Sequence, residues 1–177
     1  MRLWIDGLAL MATMLAVQPA LGFEPLDSLM QVSFAYGGQE QRLTLDKVPL
    51  LPEGACYSWW IKVPADAGLD ELSERLILPA PATDWSGLDT DPDDGIEIMA
   101  GGSVAVSALP GVPDAEGWLS NGWCIAPGDP PGLHRIEVSA NGVLVERFAF
   151  EVVLPEDFPW PALAQPDPSA RSVYQSW

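Results

Sequence analysis

Residues 55–63 read ACYSWWIKV, and residues 122–125 read GWCI. Each segment carries one of the 2 cysteines of the chain, Cys56 or Cys124, within a run of aromatic and β-branched residues. Such residues suit the pleated, half-buried surface of a β-strand. Because two cysteines in a secreted chain usually pair, we predict two neighbouring strands joined by a Cys56–Cys124 disulfide. Two free, buried thiols are the alternative.

Residues 1–22 have the features of a secretory signal peptide. Arg2 supplies a positive charge, residues 8–17 form a short apolar run, and Ala20 and Gly22 are small residues before a cleavage position ahead of Phe23. The apolar run is too short to span a bilayer comfortably, which favours a cleaved signal. We therefore expect a periplasmic or secreted protein with no membrane span in the mature chain.

The charge of the chain limits the partners that it can have. The sequence holds 25 Asp and Glu against 8 Lys and Arg, a formal net charge of −17. Nucleic acids and anionic membrane surfaces would repel such a chain. We therefore expect no nucleic-acid partner. The charge favours solubility or a basic or cationic partner, and it leaves an unknown protein or glycan partner open.

Turn-forming residues divide the chain into short strands. The sequence has 18 Pro and 16 Gly between short apolar runs, and it shows no sustained helical period. This pattern is typical of an all-β sandwich or barrel. The predicted strands cover residues 29–36, 41–48, 56–63, 74–78, 96–99, 104–108, 123–126, 133–140 and 143–154, with a further strand residue at Trp118.

The predicted domain organisation follows from length and composition. A mature chain of this size fits one domain, which we place at residues 23–154. Residues 155–177 are rich in proline and are expected to form an extended, largely unstructured tail. Phe158 and Trp160 in that tail are interpreted as side chains that pack back on the domain.

The last two predicted strands form the clearest hairpin. Asn141-Gly142 is a strong hairpin signal between segments that alternate apolar and polar residues. A strict two-residue loop would place the phenylalanines of the last strand on the wrong face. We therefore predict a three-residue loop at residues 140–142, with Gly142 left-handed and Val138 opposite Leu144.

Residues 129–138 read DPPGLHRIEV, and Asn141-Gly142 and FAFEV at residues 148–152 follow. This series resembles the last two strands of bacterial immunoglobulin-like domains, with a Pro/Gly corner, alternating aliphatic residues, a turn and a closing aromatic strand. The whole chain is similar to exported bacterial protein families of unknown function. The resemblance implies an antiparallel immunoglobulin-like β-sandwich and no particular activity. His134 stands where such domains often carry tyrosine, and the cysteine positions differ from the antibody pattern.

The sequence holds 8 tryptophans, a large number for this length. Flat aromatic faces suit sugars, so a stacking platform is one interpretation of Trp59, Trp60, Trp85, Trp118 and Trp123. The adjacent Trp59 and Trp60 must face opposite sides of a strand. We take Trp60, Trp85 and Trp118 as the possible ligand contacts. The alternative is that these rings fill the core or lie beneath loops.

An acidic loop is the one weak candidate for a metal site. Asp89, Asp91 and Asp93 alternate as ligands of a calcium loop do. However, Gly95 comes one position late for the calcium-loop pattern, and Ala100 stands where the last bidentate glutamate belongs. We therefore expect an acidic surface turn. For zinc, two thiols and one histidine lack a fourth good ligand.

The sequence gives no support for catalysis. His134 is the only histidine, and no nucleophile-elbow serine or glycine-rich phosphate loop is present. We expect a structural or surface role for His134, no catalytic residue and no cofactor. The expected function is that of a non-catalytic exported immunoglobulin-like module in protein–protein contact, or an accessory domain of the bacterial envelope. The alternative is a carbohydrate-binding module that uses exposed tryptophans.

The signal peptide gives the first testable prediction. We expect the exported protein to begin at Phe23, because Ala20 and Gly22 are the small residues that a signal peptidase requires. N-terminal sequencing or intact-mass measurement of the protein from the periplasm or medium checks this. Recovery of a membrane-bound species that retains Met1 would contradict it.

Overall fold

The computed structural model describes residues 22–36, 39–52, 54–85 and 95–160. The acidic loop with Asp89, Asp91 and Asp93, nearly all of the predicted signal peptide and the tail beyond Trp160 lie outside these residues. The described residues form the strands β1 Asp27–Tyr36, β2 Gln39–Leu43, β3 Lys47–Pro49, β4 Ala55–Lys62, β5 Leu72–Ile77, β6 Ile96–Met99, β7 Val104–Leu109, β8 Trp118–Cys124, β9 Gly132–Ala140 and β10 Val143–Val153. Short 3₁₀ turns lie at Ala100–Gly102 and Pro155–Asp157.

Two sheets pack face to face. One has four strands in the order β2-β1-β4-β8, and the other has six in the order β3-β10-β9-β5-β7-β6. Strand β3 runs parallel to β10, and the other neighbouring strands are antiparallel. Strands β4 and β8 face β5, β9 and β10, as strands B and E face C, F and G in immunoglobulin domains. The predicted immunoglobulin-like β-sandwich is therefore confirmed.

Alternate residues of both sheets fill the core. Inward-facing residues recur with the two-residue period of a strand, so each sheet buries one face against the other. Aromatic contacts cross the interface: Tyr57 lies 4.5 Å from Phe150, and Trp59 lies 6.3 Å from Phe148, between ring centroids. The fully buried side chains between the sheets include Val32, Tyr57, Trp59, Ile61, Glu74, Ile136, Val138 and Phe150.

The disulfide joins neighbouring strands, as the sequence predicted. Cys56 on β4 lies directly opposite Cys124 on β8, with a Cα–Cα distance of 3.8 Å. The bond therefore lies within one sheet, whereas the disulfide of antibody domains connects the two sheets. Strand alternation places Cys56 on the opposite face from the core residue Tyr57. The disulfide thus closes the outer side of the β4–β8 pair.

The predicted strand at residues 41–48 is wrong, because this segment forms two strands in different sheets. Strand β2 pairs with β1, whereas β3 pairs with β10. Leu43 and Val48 are both buried. They are five positions apart, so one continuous strand would have pointed them to opposite faces. When the chain crosses between sheets at residues 44–46, both side chains can enter the core.

The hairpin differs from the predicted three-residue loop. Ala140 pairs with Val143, so the loop has two residues, Asn141 and Gly142, with φ of 51° and 75°. Positive φ at both positions is typical of a type I′ turn, whose twist matches that of the flanking strands. Val138 pairs with Glu146, and the predicted pairing with Leu144 is wrong.

A bulge in β10 provides the one-residue change of register that we expected from a three-residue loop. The register changes between Leu144 and Glu146. Beyond this bulge Phe148 lies opposite Ile136 and Phe150 opposite His134, all on the buried face. Leu144, before the bulge, is 39% exposed. The buried face therefore determines the register, and the extra residue lies in the strand rather than in the turn.

The hairpin tip also anchors the segment that precedes β5. The Asn141 Oδ1 atom accepts hydrogen bonds from the backbone N–H groups of Asp70 at 3.0 Å and Glu71 at 3.1 Å. Its Nδ2 atom donates to the carbonyl of Gly68 at 2.6 Å. One side chain thus satisfies three backbone groups of a loop far away in sequence.

The start of the predicted tail contacts the sandwich. Phe158 is buried, and its ring centroid lies 5.3 Å from that of Phe34. Trp160 stacks on Tyr36 at 5.1 Å. These contacts cover the end of β1. In the described residues, no helix has the length and apolar character needed to cross a membrane.

Asn141→Gly should destabilise the protein. Glycine keeps the left-handed backbone but removes three hydrogen bonds, each with a net contribution of about 0.5–1.5 kcal/mol. We expect a loss of about 1.5–4 kcal/mol in the free energy of unfolding, measured by urea denaturation. The control is Leu144→Ala in the same hairpin, which should cost about 0.5 kcal/mol because this side chain is largely outside the core. Equal losses for the two variants would contradict the anchoring role of Asn141.

Candidate functional site

A buried carboxylate connects the two sheets. Strand β5 places Glu74 inside the sandwich, where it is 0% exposed. Its Oε2 atom accepts hydrogen bonds from the indole Nε1 of Trp59 and from the Nδ2 of Asn121, the latter at 2.9 Å. Its Oε1 atom accepts a hydrogen bond from the indole Nε1 of Trp123. All three donors belong to the opposite sheet, so the carboxylate bridges the interior.

Burial and hydrogen bonding have opposite effects on the charge of Glu74. Burial raises the pKa of Glu74, and the hydrogen bonds from Trp59, Asn121 and Trp123 oppose that rise without cancelling it. Within the described ranges, no lysine or arginine forms a salt bridge with this carboxylate. Neutral donors therefore compensate its burial. The sequence interpretation missed this residue, although Glu74 shares the strand phase of the apolar Leu72 and Leu76.

A cavity of about 350 Å³ lies at the Cys124 end of β8, beside the Glu74 network. Tyr57 on β4 and Trp123 on β8 belong both to its wall and to the inward-facing side of their sheet. The loop after β5 brings Asp84 and Trp85 to the wall, and the turn before β9 brings Asp129. The cavity thus joins three parts of the chain that are far apart in sequence.

Protein acceptors already engage the indole N–H groups of the cavity wall. Trp85 donates its Nε1–H to the carbonyl of Gly102 at 3.1 Å. Trp123 donates its Nε1–H to Glu74. These two side chains are therefore held in place by their N–H groups, and what remains for a ligand is their apolar π surface.

The hydroxyl of Tyr57 has no hydrogen bond to any residue that the structure describes. The side chain is only 1% exposed, and its ring packs on Phe150. Burial, followed by the negative charges of Asp129 and Glu74, raises the pKa of Tyr57 well above its usual value. The phenol is therefore a protonated, unused donor in the cavity wall.

Carboxylates dominate the polar groups of the cavity. The Asp129 Oδ2 atom accepts a hydrogen bond from the backbone N–H of Ala126 at 2.8 Å, and burial raises the pKa of Asp129. Asp84 also lines the wall. None of the described lining residues is a lysine, arginine or histidine. The cavity is therefore aromatic and electronegative.

The structure separates the three tryptophans that the sequence analysis selected as ligand contacts. Trp85 lines the cavity, whereas Trp60 and Trp118 are only 8% and 7% exposed, on the opposite face of the four-stranded sheet. Trp60 donates to the Ser58 Oγ atom at 3.1 Å, and the Lys62 Nζ atom lies 5.6 Å from the Trp118 ring centroid. The three rings therefore form no common exposed platform. Trp123, from the wider set, is the second tryptophan of the cavity.

His134 is a core side chain. Its Nε2 atom lies 2.9 Å from the carbonyl of Pro130, and its ring packs 5.3 Å from that of Phe150. Burial lowers the pKa of His134, so the neutral form donates to Pro130 through Nε2. Across the part of the chain that is described, no three His, Cys, Asp or Glu side chains come together as metal ligands do.

The match to a family model agrees with the β-sandwich. The family model described as the PM0630 beta sandwich domain matches residues 30–153. Among solved structures, an immunoglobulin-like protein (PA1606) from Pseudomonas aeruginosa is similar at 12% sequence identity, with a TM-score of 0.44, and the match covers 77% of this chain and 100% of that chain. No curated protein matches the chain.

The Glu74 network predicts a specific pH dependence. We expect the stability of the wild type relative to Glu74→Gln to fall as pH rises from 4.5, the ordinary pKa of glutamate, through the higher pKa of the folded state. In that window the folded protein binds more protons at residue 74 than the unfolded chain does, so the contribution of Glu74 is fully present only below the window.

Urea denaturation across this pH range gives the free energy of unfolding of both proteins. The effect is the value of the wild type minus that of Glu74→Gln at each pH. Glu97→Gln, on an exposed edge strand, controls for the loss of one negative charge from the protein. If the wild type instead gains stability relative to Glu74→Gln as pH rises, the prediction is wrong. That result would mean that the three hydrogen-bond donors outweigh the effect of burial on the pKa of Glu74.

Proposed function

Since the chain belongs to the PM0630 beta sandwich domain family, we propose that it is an exported, non-catalytic immunoglobulin-like module that acts by binding a partner in the bacterial envelope. The cavity beside Glu74 is the proposed recognition site. The observation that carries the proposal is the Tyr57 hydroxyl, a nearly fully buried donor in the cavity wall without a hydrogen-bond partner among the described residues.

The wall of the cavity supports binding. Its volume of about 350 Å³ falls in the range of about 300–1,000 Å³ that is typical of ligand pockets. Like those pockets, it has aromatic walls and a few converging polar groups, here Tyr57, Asp84 and Asp129. A ligand acceptor in the cavity can take a hydrogen bond from the Tyr57 hydroxyl without displacing an acceptor of the described residues. Many different functions share this fold, so the fold does not identify the function. The proposal therefore rests on the cavity.

The disulfide supports the proposed location. A bond between Cys56 and Cys124 is stable in the periplasm or outside the cell and is rare in a reducing cytoplasm. This agrees with the signal peptide expected at residues 1–22. A module exported in this way would meet its partner within the envelope or beyond it.

Carbohydrate binding is the second candidate function. Trp85 and Trp123 both line the cavity beside Asp84 and Asp129. Sugars stack their apolar faces on such rings and donate hydroxyl hydrogen bonds to carboxylates. This candidate keeps the cavity as the binding site but requires a neutral, hydroxyl-rich ligand.

Tyr57→Phe tests the proposed function, because it removes the unused hydroxyl and keeps the ring that packs on Phe150. We expect its stability to lie within about 1 kcal/mol of the wild type, because no protein hydrogen bond is lost. We expect binding to weaken about tenfold, the usual effect of one lost ligand hydrogen bond. Ligand-observed NMR with a panel of sugars, amines and short peptides measures binding to the mature protein.

Tyr36→Phe is the matched control, because it removes the hydroxyl of a tyrosine outside the cavity. It should bind every ligand as the wild type does. Trp85→Ala should also weaken binding, because it removes one aromatic wall. Saturable binding that neither cavity variant changes, or no binding to any member of the panel, would contradict the proposal.

A further inference from the structure

We propose that the cavity binds an organic cation, an ammonium group carried on a carbon stem. This inference rests on the proposed binding function and adds the chemical class of the ligand. It follows from three features of the cavity: the sign of its charged groups, the electronic character of its rings and the unused donor of Tyr57.

The charged groups of the cavity are of one sign. Asp84, which is exposed, and the half-buried Asp129 line the wall, and the described lining residues provide no positive side chain. The Asp129 carboxylate accepts one hydrogen bond from the described residues, from the Ala126 N–H to Oδ2, so that none of them occupies Oδ1. No salt bridge from the described residues reaches Asp129. A cation bound beside this half-buried carboxylate would supply a counter-charge. A neutral sugar would not supply a counter-charge to Asp129.

The aromatic walls favour the same ligand class. Tyr57, Trp85 and Trp123 present rings to the cavity, and the face of an aromatic ring attracts a cation. Trp123 is the best placed of the three, because its N–H donates to the buried carboxylate of Glu74. Hydrogen-bonded groups polarise one another, so this bond increases the electron density of the indole ring. The Glu74 network thus strengthens one wall of a cation site without touching the ligand.

The Tyr57 hydroxyl is the observation that distinguishes this cavity from an ordinary acidic surface. It is a donor, almost fully buried, beside the charge of Asp129 and Glu74. A stem that carries a hydroxyl, ether or carbonyl oxygen near the ammonium group would accept a hydrogen bond from it. The ligand is therefore expected to be a cation with an acceptor close to its charge. A free hydroxylated amine carries this acceptor on its own stem. A lysine side chain on a partner protein carries the ammonium group, and its nearest acceptor is on the partner's backbone.

Titration of the mature protein with matched probes tests the inference, with tryptophan fluorescence and calorimetry as readouts. Choline represents a free cation, Nα-acetyl-lysine N-methylamide represents a protein side chain, and 3,3-dimethyl-1-butanol is the uncharged isostere of choline. Methyl glucoside represents a neutral sugar. We expect at least one cation to bind saturably and the uncharged isostere to bind about tenfold more weakly or not at all. The cation that binds more tightly identifies the source.

Asp129→Asn is the decisive variant. Asparagine keeps an oxygen for the Ala126 N–H group and removes the charge, so the fold is retained; a thermal melt verifies this. We expect cation affinity to fall about tenfold or more. Asp157→Asn, in the exposed 3₁₀ turn outside the cavity, removes an equal charge and should leave the affinity unchanged.

Three results would overturn the inference: choline and its isostere bind equally, neither cation binds, or Asp129→Asn binds cations as the wild type does. If methyl glucoside binds and loses affinity in Tyr57→Phe, the proposed binding function stands and only the cation class fails. If no ligand of the wider panel binds, the proposed function fails as well.

Discussion

The hydrogen bonds of the Glu74 carboxylate are the interaction on which the rest of this sandwich depends. A single side chain from β5 accepts the N–H groups of Trp59, Asn121 and Trp123 from the facing sheet. Apolar packing is not directional, so it allows one sheet to slide over the other. Hydrogen bonds are directional, so these three bonds fix the position of the two sheets relative to each other. The carboxylate has no lysine or arginine partner among the described residues, so these three neutral donors are the groups that compensate its burial.

The same network connects the core to the cavity. Trp123 and Tyr57 belong to both, since each contacts core groups and lines the cavity wall. A change that loosens the contact between the sheets would therefore also move the wall of the proposed binding site. The residues that stabilise the interior and those that line the proposed binding site are therefore partly the same. Rigid side chains of the strands, together with two loops, form the site.

The errors of the sequence interpretation have one common cause. The hairpin at Asn141-Gly142 was recognised from its turn residues, but the position of the extra residue was not, because a bulge inside β10 has no local signal of its own. Similarly, residues 41–48 alternate well enough for one strand. Only the requirement that Leu43 and Val48 both be buried divides the segment between two sheets. In both cases burial on the partner sheet outweighs the local pattern.

The sequence by itself determined the all-β class, most of the strands and the Cys56–Cys124 pair, because period-two patterning, turn residues and a single possible pairing of two cysteines are local or arithmetic signals. Only the tertiary structure decided that Glu74 faces the core, that Trp85 and Trp123 line a cavity with Asp84, Asp129 and Tyr57, and that Trp60 and Trp118 lie elsewhere. These facts depend on which strands are neighbours and which face each sheet buries. Strand order is a long-range property that residue spacing along one chain does not encode.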